Sequence, residues 1–357
     1  RPDQPGPRLS GAWHPGDVKL LILGGSGWLG HAIAELAVRG GHQVTCVVRR
    51  TAVPAGVRLV RADRDQDDAL AGVAASPWDA VIDLARQPGH VRRAVRDLHR
   101  VAGRYLFVST CSVYASQAEI GADEDAALLP PLAADDMASP EEYGSAKVAC
   151  EDAVLQAFGD QRSVIVRPGL IGGPGDPSGR SGYWALRFAK PSNPAGRVLV
   201  PDAPELPTAI IDARDLASWI VRLAEGTAAG VFVAVGESVL FPDHLTIARS
   251  VAGHSGPVVR APEDWLLERG VAEWSGPRSL PLWLADRDWY GMNSRPSARA
   301  KAAGLTLRPP ADTLADSLAW DLDHVREPGS GAGLSDSEEN ALLSELQAAN
   351  GLGRLGG

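Results

Sequence analysis

The chain has 357 residues, 45% of them hydrophobic and 22% charged, with a formal net charge of −9. That composition is ordinary for a folded globular protein, and the acidic balance offers a nucleic acid no basic face to bind. The 3 cysteines, Cys46, Cys111 and Cys150, are widely spaced, and neither they nor the 8 histidines show metal-ligand spacing. No metal and no disulfide framework is therefore expected, and a reducing cytoplasm is the simple reading. Residues 1–17 are rich in Pro and Gly and lack the apolar core of a signal peptide, and no apolar run approaches the length of a membrane span. The partner expected is a small-molecule substrate.

From residue 18 short apolar runs alternate with helical stretches. Residues 18–23 read as a buried strand and 29–39 as a helix stopped by Gly40-Gly41. Further strands are expected over 43–48, 57–60 and 80–84. A helix over 91–102 leads to a strand over 105–109. Pro140 opens a helix that runs to about 158, and 163–167 is the next strand. Strands alternating with helices imply an α/β fold, a Rossmann-type doubly wound parallel sheet. After Pro168 the stretch 169–207 is dense in Gly and Pro, 210–224 returns to a strand edge plus helix, and 231–235 reads as a last sheet strand. The expected division is a dinucleotide-binding domain of 18–168 and 207–235 and a smaller, discontinuous C-terminal substrate domain of 169–206 and 236–325. Flexible tails are expected at 1–17 and 327–357, the second with a short helix over 335–349 in which Ser335 and Glu338 have capping-box spacing.

Gly24-Gly25-Ser26-Gly27-Trp28-Leu29-Gly30 lies between a predicted strand and a predicted helix. Glycines at 24, 27 and 30 let the backbone turn tightly and approach a pyrophosphate, which the free N–H groups of the helix N-terminus then hold. Gly24, Ser26, Gly27, Trp28, Leu29 and Gly30 are the candidate contacts. Dinucleotide enzymes selective for NAD place an acid at the end of the second strand for the ribose 2′-hydroxyl. Here that strand ends Val47-Val48-Arg49-Arg50. Arg49 and Arg50 favour the 2′-phosphate of NADP(H) over the free hydroxyl of NAD(H). Tyr143 and Lys147 stand at i and i+4, on one face of a helix. An ammonium near a phenol lowers its pKa and makes Tyr143 a usable general acid or base. Phe107-Val108-Ser109-Thr110-Cys111-Ser112-Val113-Tyr114 supplies hydroxyls just past the strand end, the edge at which open α/β sheets bind ligands.

Together these segments resemble the extended short-chain dehydrogenase/reductase family, also called NAD-dependent epimerase/dehydratases, over about 18–322. The stretches 167–176 and 210–217 and the region 300–320 match as well. The resemblance implies Tyr143 as proton donor and acceptor, Lys147 as ribose ligand and modulator of the phenol, and Thr110 as the hydroxyl partner, with Ser109 and Ser112 as alternatives. It places Asp63 on the adenine, Leu84, Ala85 and Arg86 along the cofactor path, and Pro168 to Ile171 beside the nicotinamide. Cys111, Ser112, Tyr183 and Trp184 are the remaining candidates for facing substrate. It also raises homodimer formation through helices that include the Tyr-Lys helix.

Departures from the family pattern narrow the chemistry. Dehydratases carry Asp-Glu directly after the Thr, whereas Cys111-Ser112 stand here, which disfavours water elimination. Ala209 takes the place of the Arg or Gln that nucleotide-sugar enzymes often show. The expectation is an NADP(H)-dependent reductase, or its reverse dehydrogenase, for a carbonyl/alcohol or imine centre. A redox-neutral epimerase and a non-catalytic NADP sensor are the alternatives. Only 4 lysines, at 19, 147, 190 and 301, stand among 35 basic residues, a composition associated with high-GC bacteria and, by association only, with secondary metabolism. Trp265, Trp274, Trp283 and Trp289 are expected in the core of the smaller domain. Asp123-Glu124-Asp125 and Asp135-Asp136 are expected in a solvated loop over the site.

Overall fold

The computed structural model describes residues 18–49, 52–324 and 331–352. Its frame is a sheet of 7 strands: β1 Lys19–Leu23, β2 Gln43–Val48, β3 Arg58–Arg61, β4 Trp78–Asp83, β5 Ala102–Val108, β6 Ser163–Pro168 and a last strand Gly230–Ala234. All neighbours pair parallel. Across the sheet the order is the last strand, then β6, β5, β4, β1, β2 and β3. This is the doubly wound parallel sheet expected of the alternating pattern, and its order reverses between β1 and β4, where such sheets open a ligand crevice.

Strand residues alternate between the two faces, and helices cover both. On one face Leu20 and Ile22 pack with Ile33 and Ala37 of α1 (Trp28–Arg39) and with Leu216 and Ile220 of the helix Ala213–Glu225. On the other, Leu21 and Leu23 pack with Val91, Val95 and Leu98 and with Val154 and Phe158. These last residues belong to the helices Pro88–Leu98 and Tyr143–Phe158. A separate apolar cluster joins Trp184, Phe188, Leu199, Phe241, Trp283, Leu314 and Leu343. It lies among short helices and two-stranded sheets from the second half of the chain.

Some boundaries differ from the sequence reading for definable reasons. The helix expected over 91–102 runs Pro88–Leu98, because Pro88 sits in the first turn, where its fixed φ and missing N–H suit the helix. Residues from Ala102 on extend instead, since Trp78 pairs with Ala102. A side chain at Gly103 would come within 2.8 Å of the Asp79 carbonyl oxygen. The helix opened by Pro140 begins as a 3-10 turn, Pro140–Glu142, before the α-helix starts at Tyr143.

Residues 331–352, where a tail with a short helix was expected, are docked against the body. Ser335 N–H donates to Glu338 Oε2 at 2.8 Å and Glu338 N–H donates to Ser335 Oγ at 3.3 Å, a reciprocal capping box. The helix Asp336–Leu352 buries Leu342, Leu343 and Leu346. Its fully buried Glu339 accepts from the Leu199 N–H at 2.9 Å and pairs with Arg187 at 3.2 Å.

The acidic stretches are only partly a solvated loop. Glu124 is buried and accepts from the Val233 N–H at 2.8 Å, so it ties its loop to the last strand. Of the four tryptophans expected in a core, Trp283 is fully buried, Trp265 and Trp274 are partly buried against the second cluster, Trp274 also lining a cleft, and Trp289 is 46% exposed. Among the described residues no helix is long and apolar enough to cross a membrane, and no His, Cys, Asp and Glu group has the geometry to hold a metal ion.

Candidate active site

The turn after β1 begins at Gly24, whose φ of +98° is a conformation L side chains rarely adopt. Its N–H donates to the Val47 carbonyl at 3.2 Å, and its own carbonyl accepts from Gly27 N–H at 3.2 Å. Gly30, one turn into α1, packs on this carbonyl so closely that a Cβ would sit 2.3 Å from it. Alanine is the better helix former by about 1 kcal/mol, yet Gly30→Ala is expected to destabilise by about 1–3 kcal/mol through overpacking. Thermal unfolding measures this, and an unchanged or higher Tm would show that the turn yields.

A Cβ on Gly27 would meet only the Gly24 oxygen, at 3.7 Å, so the space above it is free for a ligand. No side chain caps α1 and no acid stands in its first turn, which leaves its leading N–H groups and their partial positive charge for an anion. These residues fit a dinucleotide diphosphate.

Arg49 is exposed at the end of β2, and Arg50 lies outside the described residues. Asp63 is exposed beyond β3, its carboxylate accepting from the Asp65 N–H at 3.3 Å.

The buried Asp83 that ends β4 was not anticipated. Arg64 grips both its oxygens, at 2.7 and 2.8 Å, Tyr105 donates its hydroxyl at 2.6 Å, and Ala85 donates its N–H at 2.9 Å. Burial alone would raise the Asp83 pKa, but the Arg64 charge and these hydrogen bonds hold it below the usual carboxylate range. The signal was present as a carboxylate inside the apolar run 80–84. The network fixes the start of Leu84-Ala85-Arg86, of which Leu84 and Arg86 line the crevice.

Beyond the sheet edge lies a cleft of about 550 Å³ walled by Trp28, Leu29, Leu84, Arg86, Thr110, Ser112, Tyr143, Lys147 and Pro168 to Ile171. Most of the side chains singled out for chemistry therefore meet in one place. Thr110 and the Tyr143 phenol line the cleft together, and Arg86 lies 5.2 Å from the Tyr143 ring centre. Burial raises the phenol pKa, and the Arg86 charge and the neighbouring Thr110 hydroxyl pull it back only in part. The lowering expected from Lys147 is absent, for a geometric reason. Lys147 Nζ donates to the carbonyls of Ala85, at 2.7 Å, and Val108, at 2.6 Å, and burial brings its own pKa down to about 8.

The alternatives to Thr110 separate cleanly. The Ser109 hydroxyl is buried and donates to Glu151, whereas Ser112 is exposed in the cleft, 3.2 Å from the Thr110 hydroxyl. The Cys111 thiol is buried, aimed at the Arg167 carbonyl, and pushed up to about 12, so it is no nucleophile. Tyr183 and Trp184, which open the helix Tyr183–Ala189, are not on the wall. Trp184 is fully buried with its indole N–H on the Pro281 carbonyl at 2.7 Å, and Tyr183 packs edge-on against it. Their place in the second core removes them as stacking partners for substrate. The wall is built instead from Asp176, at the end of the family-matching stretch 167–176, and from Ser178, Arg180, Trp274 and Met292, which carry no recognisable motif.

Comparison with known proteins agrees with this fold. The chain is 24% identical over 331 residues to a 3-diazoavenalumate denitrifying reductase from Streptomyces, covering 86% of this chain and 97% of that protein. The UDP-N-acetylglucosamine 4-epimerase of Bacillus cereus shares the fold with a TM-score of 0.64 at 14% identity, covering 87% of this chain and 99% of that one. The Bordetella bronchiseptica enzyme WbmH, solved in complex with NAD+, gives a TM-score of 0.59 at 17% identity, covering 86% and 99%. Residues 20–234 match the profile of the NAD dependent epimerase/dehydratase family, and with the Gly-rich turn, the parallel sheet and the Thr110–Tyr143 pair in place, the chain belongs to that family.

Proposed function

We propose that the protein is an NADP(H)-dependent oxidoreductase that reduces, or in reverse oxidises, a carbonyl/alcohol or imine centre of a small molecule. The observation that carries this reading is that Thr110, Tyr143 and Lys147 meet in one cleft beside the Gly-rich turn. The named activity of the Streptomyces relative, a reductase, supports it, and the NAD+ complex of WbmH supports a nicotinamide cofactor. Val48 where NAD-selective enzymes hold an acid, and the exposed Arg49 after it, favour the 2′-phosphate.

The roles follow from position. The N-terminus of α1 and Gly27 hold the diphosphate, Arg49 takes the 2′-phosphate, and Pro168 to Ile171 wall the nicotinamide end. When bound, the nicotinamide supplies or takes up a hydride at its C4. Tyr143 passes its hydroxyl proton to the substrate oxygen or nitrogen in reduction, and recovers it in oxidation. Thr110 orients that same atom by a hydrogen bond. Arg86, over the ring, favours the phenolate that proton loss leaves behind. Lys147, already positioned by two carbonyls, faces the ribose.

The epimerase fold neighbours favour a second reading, a redox-neutral epimerase that returns the hydride to its own substrate. Buried Ala209, 6% exposed, offers a nucleotide-sugar no charge at a position where such enzymes often have one. The intact Thr110, Tyr143 and Lys147 set argues against a non-catalytic sensor.

The test is the nucleotide content of the purified protein by absorbance and mass spectrometry, followed by fluorescence titration with NADPH and NADH. An empty site is expected that prefers NADPH by about 10-fold or more, roughly one charge-assisted hydrogen bond. Arg49→Ala should shrink that preference. NAD(H) retained through purification would instead move the epimerase reading to first place.

A further inference from the structure

Arg180 occupies an unusual place in the cleft wall. Its loop is set by Asp176, which accepts from Ser178 N–H at 2.8 Å, Ser181 N–H at 3.1 Å and the hydroxyls of Ser178 and Ser181 at 2.7 and 2.8 Å. Arg180 spends its Nε–H on the Ser178 hydroxyl at 3.0 Å and lies 5.2 Å from the Trp274 ring centre. Neither terminal amino group of its guanidinium meets a carboxylate or a carbonyl among the described residues. The half-buried and buried arginines elsewhere are handled differently: Arg64 is gripped by Asp83, Arg167 by Glu151, and Arg187 by Asp336 and Glu339. Burial lowers the Arg180 pKa, with only the neighbouring Asp176 acting against it. Drawing a guanidinium out of water costs free energy unless it is fully paired, so a ligand that completes the pairing recovers part of that cost.

Trp274 is the second observation. Its φ is +65°, a left-handed conformation that a bulky side chain adopts only at a cost and that clusters at ligand sites. Held this way, the indole lies in the cleft wall with Arg180 and Met292.

We propose that Arg180 anchors a carboxylate of the substrate, so that the cleft takes a carboxylic acid with a flat body. The acid end sits on the guanidinium, the flat body lies against Trp274, and the reacting end reaches Tyr143. Two amino groups on one planar fork, neither on a carboxylate or carbonyl among the described residues, match a carboxylate bidentately. The inference rests on the oxidoreductase reading in taking this cleft as the substrate site.

Direct binding tests it without turnover. The full chain is titrated with cinnamate and with cinnamamide, which is similar in shape but uncharged, in the presence and absence of NADPH. Cinnamate should bind at least about 10-fold more tightly than the amide. Arg180→Gln should abolish that preference while the NADPH affinity and Tm stay unchanged, and Arg180→Lys should restore part of it. Equal binding of acid and amide to the wild-type protein overturns the proposal. So does a loss of NADPH affinity in Arg180→Gln, which would assign the guanidinium to the cofactor diphosphate. A protein that binds no NADPH but keeps an Arg180-dependent preference for the acid would overturn the oxidoreductase reading and leave the carboxylate anchor standing.

Discussion

Tyr143→Phe is expected to lower turnover by about 10²–10⁴-fold, the usual contribution of a positioned general acid, with NADPH affinity and Tm unchanged. The substitution removes one oxygen from a half-buried ring at the first turn of its helix and leaves the ring beneath Arg86. The phenol pKa is raised by burial, so the phenol stands protonated at neutral pH, the state a reduction requires of its proton donor. Thr110→Val should show a smaller fall, because Ser112 lies within 3.2 Å of the Thr110 hydroxyl and can orient the substrate atom in part. Steady-state kinetics with a carbonyl panel, together with NADPH titration, reads both. Wild-type turnover in Tyr143→Phe would remove the phenol from the chemistry.

Arg64→Met is expected to cost about 3–5 kcal/mol of stability, since it strands the fully buried Asp83 carboxylate without its counter-charge. Pairing Arg64→Met with Asp83→Leu should recover part of the loss, limited by the Tyr105 hydroxyl, which then has no acceptor. Denaturant unfolding measures all three proteins, and a single variant as stable as wild type would mean that the pair contributes nothing. The pH dependence has a definite sign. The folded Asp83 pKa is lowered, so its stabilisation is complete above the ordinary carboxylate pKa of about 4 and is lost as the pH falls through the depressed folded value. The effect reaches the site as well. Asp83 fixes the Ala85 N–H and the Ala85 carbonyl holds Lys147, so weaker cofactor binding should accompany the loss of stability.

What could be read from the sequence was what local sterics or periodicity enforce. The turn from β1 into α1 announces itself because Gly24 needs a positive φ and Gly30 must pack on the Gly24 carbonyl. Tyr143, Lys147 and Thr110 stand at spacings that place them together once a parallel sheet is granted. The last strand, Gly230–Ala234, was legible as an apolar run, and so was its partner strand. The cleft wall was not legible, because Arg180, Trp274 and Met292 arrive from short segments with no periodicity, and only tertiary packing brings them to one surface. Tyr183 and Trp184 misled because an aromatic pair at a helix start looks the same whether it faces a ligand or a core. The Pro281 carbonyl that takes the Trp184 indole N–H lies 97 residues away. The Arg64–Asp83 pair was hidden in a similar way, as two charges in neighbouring βα units whose contact depends on strand order.

The docked C-terminal segment carries a consequence for how such an enzyme changes its diet. The Ala332 N–H donates to the Ser178 carbonyl at 3.1 Å, next to Arg180, and the Gly333 N–H donates to the Gly276 carbonyl at 3.4 Å, next to Trp274. The chain that follows is clipped down by Arg187 and Glu339. Drift in this last stretch can therefore reshape the substrate wall while the nucleotide crevice, built from the first strands, stays as it is.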